Sequence, residues 1–231
     1  VIYLHENLNP VHLFLFGDES KVLPILAEHA IPATAYTFIN TTQAIGMNEH
    51  PAKSLKEKPD SSIAIGFEML KKGGIDAFIG AGNTGAMLVG TVFSIKPIEG
   101  VIRPTISTII PRENGKTGLL LDVGINVDCK PEMLNQFATL GCIYAKHILG
   151  IKQPTVGLVN VGEEEGKGNI LTQNAYTLLK ENTSIHFIGN VEGRDILEDK
   201  ADVMVCDGYT GNILLKLLES LHTITKRQKI N

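Results

Sequence analysis

Beyond residue 75 the chain carries five short apolar runs, and every one breaks off in a polar turn that contains glycine. IDAFI (75–79) runs into GAGNTG, GLLL (118–121) into DVGINVD, and TVGLVNV (155–161) into GEEEGKGN. SIHFI (184–188) runs into GNVEGRD and ADVMV (201–205) into CDGYTGN. A strand that is apolar at almost every position must be covered on both faces, as in parallel sheets flanked by helices. Segments with helical spacing separate the runs: SSIAIGFEMLKKGG (61–74), a helix from Ala86 to Ser94, PEMLNQFATLGCIYAKHILG (131–150), NILTQNAYTLLKEN (169–182) and TGNILLKLLESLHTITK (210–226). Earlier, VHLFLFG (11–17) and TAYTFIN (34–40) read as strands around the helix ESKVLPILAEHA (19–30), with Pro24 expected in its first turn. MNEHPAKSLKEKPD (47–60) reads as a polar connection. Asn114-Gly115 between TISTIIP (105–111) and TGLLLDVG (117–124) is a hairpin signal, either a subdomain edge or an extension that helps two chains associate. The pattern predicts a three-layer αβα fold with a mostly parallel sheet plus a β-hairpin extension, as a single domain over 1–231.

Such sheets bind ligands beyond the carboxyl ends of their strands, so the polar turns are the candidate site. Residues 79–90, IGAGNTGAMLVG, contain G-x-G-x-x-G at a strand-to-helix turn, where backbone N–H groups at a helix N-terminus stabilise anions. A dinucleotide site also requires an acidic residue about twenty positions on, at the next strand end. Glu99 has the distance but stands in the turn KPIEG, so the dinucleotide fingerprint is half met. Asn, Asp and Gly are common turn and cap residues, and any one loop alone reads as structural. The recurrence over five loops is the specific signal.

Several chemistries are disfavoured. GEEEGKGN lacks the spacing and the Ser/Thr of a phosphate-binding Walker loop, and there is no G-x-S-x-G elbow or local Cys–His pair. The nucleophile is therefore expected to come from the substrate. Cys129, Cys142 and Cys206 lack metal spacing and the histidines form no i, i+4 pair, so neither metal nor cofactor is expected. An odd cysteine count suits a reducing cytoplasm. A formal net charge of −4 argues against nucleic acid as a partner. VIYLHENLNP has no basic-then-apolar signal pattern, and residues 75–95, with Asp76, Asn83 and four glycines, make a poor membrane span. The start at Val1 rather than Met suggests a piece of a longer protein.

Taken in order, IGAGNTGAMLVG, LLLDVGINVDCKPEML, LVNVGEEEGKGN, FIGNVEGRDI and DVMVCDGYTGNILLK resemble the phosphate acyltransferases of bacterial phospholipid synthesis, the PlsX-type family, over nearly the whole chain. The resemblance implies a fold like that of phosphate acetyltransferases and isocitrate and isopropylmalate dehydrogenases. It implies transfer of a long-chain fatty acyl group from acyl carrier protein to inorganic phosphate, in a cytoplasmic homodimer able to associate peripherally with the inner face of the membrane. Under it, Lys167 and Asn212 are catalytic, and Gly82, Asn83, Thr84, Gly85, Asp122, Asn126, Glu192, Asp207, Thr210 and Gly211 bind substrate or phosphate. Acyl carrier proteins are acidic, so a basic docking surface is expected among Lys53, Lys56, Lys58, Lys71, Lys72, Arg103 and Arg112. The hairpin and the helix 131–150 are the expected dimer surfaces. The family opens with a strand and an Asp-Ala-x-Gly-Gly-Asp turn that has no counterpart before Val11, and it continues past the last helix, so truncation at both ends is expected. Two other readings stay open: a phosphate acetyl- or butyryltransferase using coenzyme A thioesters, and a nucleotide-binding module without chemistry.

Overall fold

Strand β1 (Phe14–Gly17) pairs in parallel with β2 (Thr37–Asn40), Phe14 opposite Thr37, and a parallel pair needs a crossover between its strands. Helix α1 (Glu19–Glu28) supplies it, capped by Asp18, whose carboxylate accepts from the Ser20 N–H at 3.0 Å. Pro24 lies inside α1 rather than in its first turn. The computed structural model describes residues 11–228, so the expectation about the segment before Val11 lies outside the described residues. These fall into two compact units that divide between Ile98 and Glu99.

In the first unit the segment read as a polar connection contains α2 (Pro51–Glu57), which starts on a proline as helices readily do. Next come α3 (Ser62–Lys71), capped by Ser61, and α4 (Thr84–Ser94). Ile63, Phe67 and Ala86 form the core of this unit, with Leu55, Leu70, Phe78 and Met87 packed against it. IDAFI (75–79) forms no strand, contrary to its pattern. Phe78 is its packing residue, meeting Phe67 of α3 edge-on at 5.1 Å and Phe16 of β1 at 5.8 Å, while Ala77 and Ile79 are exposed.

The second unit holds β3 (Ser107–Pro111), β4 (Thr117–Leu121), α5 (Pro131–His147), β5 (Thr155–Val159), α6 (Ile170–Glu181), β6 (His186–Val191), β7 (Val203–Val205) and α7 (Gly208–Gln228). The strand order is β3-β4-β7-β5-β6, parallel except for the edge strand β3. Alternation along each strand sends Leu119, Leu121, Val156, Leu158, Val203 and Val205 to one face, against Leu134, Phe137 and Ala138 of α5 and Ala175 and Leu179 of α6. Leu120, Val159, Met204 and Cys206 face the other way, towards Leu214, Leu215 and Leu218 of α7. This is the three-layer αβα arrangement.

The hairpin is continuous with the sheet and β3 is its edge strand; β4 is buried from Gly118 to Leu121, while Ile109 of β3 is exposed. On α5, Met133, Leu134, Phe137 and Ala138 are covered within the unit, while Ile143 and Tyr144 stay exposed. Arg112 is buried. Its guanidinium pairs with Asp199, with Asp202 at 3.4 Å and with the Ala201 carbonyl, which removes it from the docking candidates.

Helix α4 reaches the core through Gly90, where a Cβ would stand inside contact distance of the Phe67 ring. Alanine there gains about 0.5–1 kcal/mol of helix propensity. Forcing a packed ring aside costs roughly 1–3 kcal/mol. Gly90→Ala should therefore lower stability by about 1 kcal/mol in urea unfolding, and Phe67→Leu in the same chain should recover part of it.

Candidate functional site

Because β4 and β7 are neighbours running the same way, the turn after one meets the helix that starts after the other. Asp122 follows β4 and is fully buried. Its carboxylate accepts from the N–H groups of Gly124 at 2.9 Å, Ile125 at 3.0 Å and Asn126 at 2.9 Å, and from the Asn126 amide at 2.6 Å. Asn126 donates a second bond to the Pro104 carbonyl at 2.8 Å. After β7, Asp207 caps α7 through the Thr210 N–H at 2.8 Å and hydroxyl at 3.0 Å. The helix start lies on the turn: Gly208 N–H donates to the Asn126 carbonyl at 2.8 Å, and a Cβ on Gly211 would overlap the Asp122 carbonyl. Asn212 is exposed, and a Cβ on Gly124 (φ 140°) would stand 3.3 Å from its Oδ1. Asp122, Asn126, Asp207, Thr210, Gly211 and Asn212 are thus one cluster. Within it, Asp122 and Asn126 hold the turn together, and the Asn212 amide makes no hydrogen bond among the described residues.

Beside this cluster an open cleft of about 580 Å³ is lined by Val127, Asp128, Cys129, Asn169, Leu171 and Tyr209, with Asp207 and Thr210. None of the first six was singled out as a site residue from the sequence. Tyr209 stands inside the turn motif CDGYTGN and was legible there; Val127 and Leu171 carry only a core-like signal. Burial, then the charges of Asp122 and Asp207, push the Cys129 thiol up to about 11. Cys206 is raised as well, chiefly by burial. Neither offers a thiolate at neutral pH.

Lys167 sits in the turn between β5 and α6, where Gly168 adopts φ 90°. Two carboxylates of this turn have other cations: Glu165 pairs with Lys180 at 2.9 Å, and Glu163 pairs with Lys200. Among the described residues the Lys167 ammonium reaches only Glu164, at 4.0 Å, with its side chain 52% exposed. Glu192 belongs to a separate ionic group. It pairs with Arg194, and its carboxylate lies within 4.8 Å of those of Glu163 and Asp195. Lys200 binds Asp195 at 2.7 Å, so two cations already face these three carboxylates.

In the first unit Asn83 is buried and caps α4, accepting from the Ala86 N–H at 3.0 Å. Its amide donates to the carbonyls of Gly46, Met47 and Glu49 at 3.0–3.3 Å, which occupies its donors. Gly82 and Thr84 are exposed. A Cβ on Gly85 would stand 2.5 Å from Pro51, so this glycine serves the packing of α2. No strand leads into this turn, and a dinucleotide fold requires one.

The fold is shared with solved phosphotransacetylases. The chain superposes on the EutD phosphotransacetylase from Staphylococcus aureus with a TM-score of 0.62 at 17% identity, covering 91% of this chain and 74% of that one. A phosphotransacetylase from Streptococcus pyogenes gives 0.64 at 18% identity, over 90% and 73%. Residues 1–228 match the family model described as "Fatty acid synthesis protein", and the chain belongs to that family. It is 46% identical over 215 residues to a protein of Halothermothrix orenii named phosphate acyltransferase, and 45% identical over 219 residues to one of the same name from Thermoanaerobacterium thermosaccharolyticum. These alignments cover 93% and 95% of this chain but 64% of each relative, so the chain spans under two thirds of their length.

Two outcomes follow from the geometry. Asp122→Ala strands several buried N–H groups and should cost roughly 3 kcal/mol or more in denaturant unfolding, as a structural carboxylate would. Alkylation of Cys129 by iodoacetamide, followed by mass spectrometry, should be slow at neutral pH and keep rising beyond pH 9, because its thiol ionises only near 11.

Proposed function

We propose that this chain forms part of an enzyme that transfers a long-chain fatty acyl group from acyl carrier protein to inorganic phosphate. Both units act in it as one acyltransferase domain, a reading supported by a family match that runs across both. The observation that carries the chemistry is Lys167: a largely exposed ammonium on a glycine-flanked turn whose other carboxylates are paired elsewhere. Phosphate is already a competent nucleophile, which suits a site whose thiols are held protonated. In the reaction a phosphate oxygen attacks the thioester carbonyl carbon, the C–S bond breaks, and the carrier leaves as its thiol after taking up a proton. Lys167 gathers the phosphate and offsets charge on the developing oxyanion. Asn212, at the start of the second turn of α7, donates its amide near a helix end that already favours negative charge. Within the second unit, Glu192, Asp207 and Thr210 shape the binding region, and Asp122, Asn126 and Gly211 support it from beneath. Within the first, Gly82 and Thr84 are the exposed members of the glycine turn, which Asn83 and Gly85 support.

The partners follow the same reading: acyl carrier protein, phosphate and a second copy of the chain, in the cytoplasm with peripheral contact at the inner face of the membrane. No helix among the described residues is long and apolar enough to cross a membrane. Of the basic docking candidates, Lys58, Lys72 and Lys53 have carboxylate neighbours at 2.5, 2.5 and 3.9 Å. Lys56, Lys71 and Arg103 are exposed without an ion pair among the described residues and are the stronger candidates.

The test is acyl-phosphate formation from palmitoyl carrier protein and phosphate, trapped with hydroxylamine. Acetyl-coenzyme A as the better donor would favour the soluble phosphotransacetylase reaction instead. Lys167→Ala should change stability by only about 0.5 kcal/mol, as at an ordinary surface site. Its rate should fall about a hundredfold, equivalent to roughly 3 kcal/mol of barrier. Lys167→Arg should restore only part, since a planar fork replaces a compact charge. Near-normal turnover in Lys167→Ala would remove Lys167 from the site.

A further inference from the structure

The turn that carries Lys167 is tied down at almost every position except the Lys167 ammonium. The tie of interest begins at Asn190, on β6, which is only 4% exposed. A buried amide at a strand position is costly unless its polar atoms are bonded, and an apolar residue there would serve stability more simply. Asn190 donates to the Glu164 carbonyl at 2.9 Å and accepts from the Asn160 amide at 3.2 Å. Asn160 in turn donates to the backbone carbonyl of Lys167 itself at 3.1 Å. The stem of Lys167 lies over Gly162, where a Cβ would stand 3.1 Å from its Cγ and 3.4 Å from its Cδ. Gly162 is not among the glycines with positive φ, so its lack of a side chain is a matter of space rather than of backbone conformation.

We infer that Asn190 and Asn160, with Gly162 as the platform beneath the lysine stem, are positioning residues that hold Lys167 in its working orientation. They touch no reacting atom and act through Lys167. The inference rests on the role given to Lys167 above. An ammonium on a four-carbon stem has many orientations, and fixing both the carbonyl of its residue and the ground under its stem removes most of them before substrate arrives.

The test uses the full chain with palmitoyl carrier protein and phosphate, in two backgrounds. Asn190→Ala should lower kcat/KM for phosphate about tenfold while the KM for carrier stays within about twofold. In a Lys167→Ala background the same substitution should change the rate by less than about twofold, because the residue it acts through is gone. Gly162→Ala, which leaves the buried amide intact, should repeat that pattern and covers the case in which Asn190→Ala fails to fold. Amide hydrogen exchange over residues 163–168 should quicken in Asn190→Ala. Equal losses in both backgrounds would mean a merely structural role and overturn the inference, as would unchanged exchange in the turn. If the unsubstituted protein at its relatives' full length makes no acyl phosphate, the functional reading fails, and the exchange measurement alone decides whether Asn190 holds the turn.

Discussion

Parallel pairing of β4 with β7 forces two connections into one small volume. The turn after β4 must lie where α7 begins, and it can do so only because Gly208 and Gly211 present no side chain to Asn126 and Asp122. Asp122 answers the same constraint from below: three N–H groups of the turn and the Asn126 amide converge on one buried carboxylate. The result is a rigid floor that sets where Thr210 and Asn212 stand. A site built this way owes its precision to backbone contact rather than to long side chains.

That floor also explains why the turn motifs could be read from the sequence while their roles could not. Asp, Asn and Gly after a strand signal a strand end in a parallel sheet, and the second unit has a strand at each such run, although β6 continues through Gly189–Val191, a stretch read as turn. The same letters do not tell a ligand-facing group from one turned inward. Asp122 and Asn212 looked alike as polar turn residues, yet one is fully buried with every lone-pair direction engaged and the other is exposed. Asn83 is a similar case, its amide given over to the carbonyls of residues 46–49. The first unit was less legible because its decisive contacts are aromatic and tertiary. IDAFI has the composition of a strand, but Phe78 is claimed by Phe67 and Phe16, and no sheet edge is offered to the run. Helix α2 was hidden by its two lysines and one glutamate, since a short helix shows little apolar periodicity.

Charge at the second unit's turns is arranged locally, and the net charge of −4 says nothing about it. Lys200 is the anchor that ties the Glu163 end of the Lys167 turn to Asp195. Burial alone would raise the Asp195 carboxyl, but its bonds to Lys200 and to the Glu192 N–H outweigh that and hold it below the ordinary range. The Lys200 ammonium is correspondingly raised, first by Asp195 and then by Glu163. The lowered carboxyl contributes stability that is present above the ordinary aspartate range and lost as pH falls through its folded value. The raised ammonium contributes stability that is present below the ordinary lysine range and lost as pH rises through its folded value. Between those limits the anchor does not titrate. The Lys200–Asp195 pair therefore keeps both its charges across the neutral range.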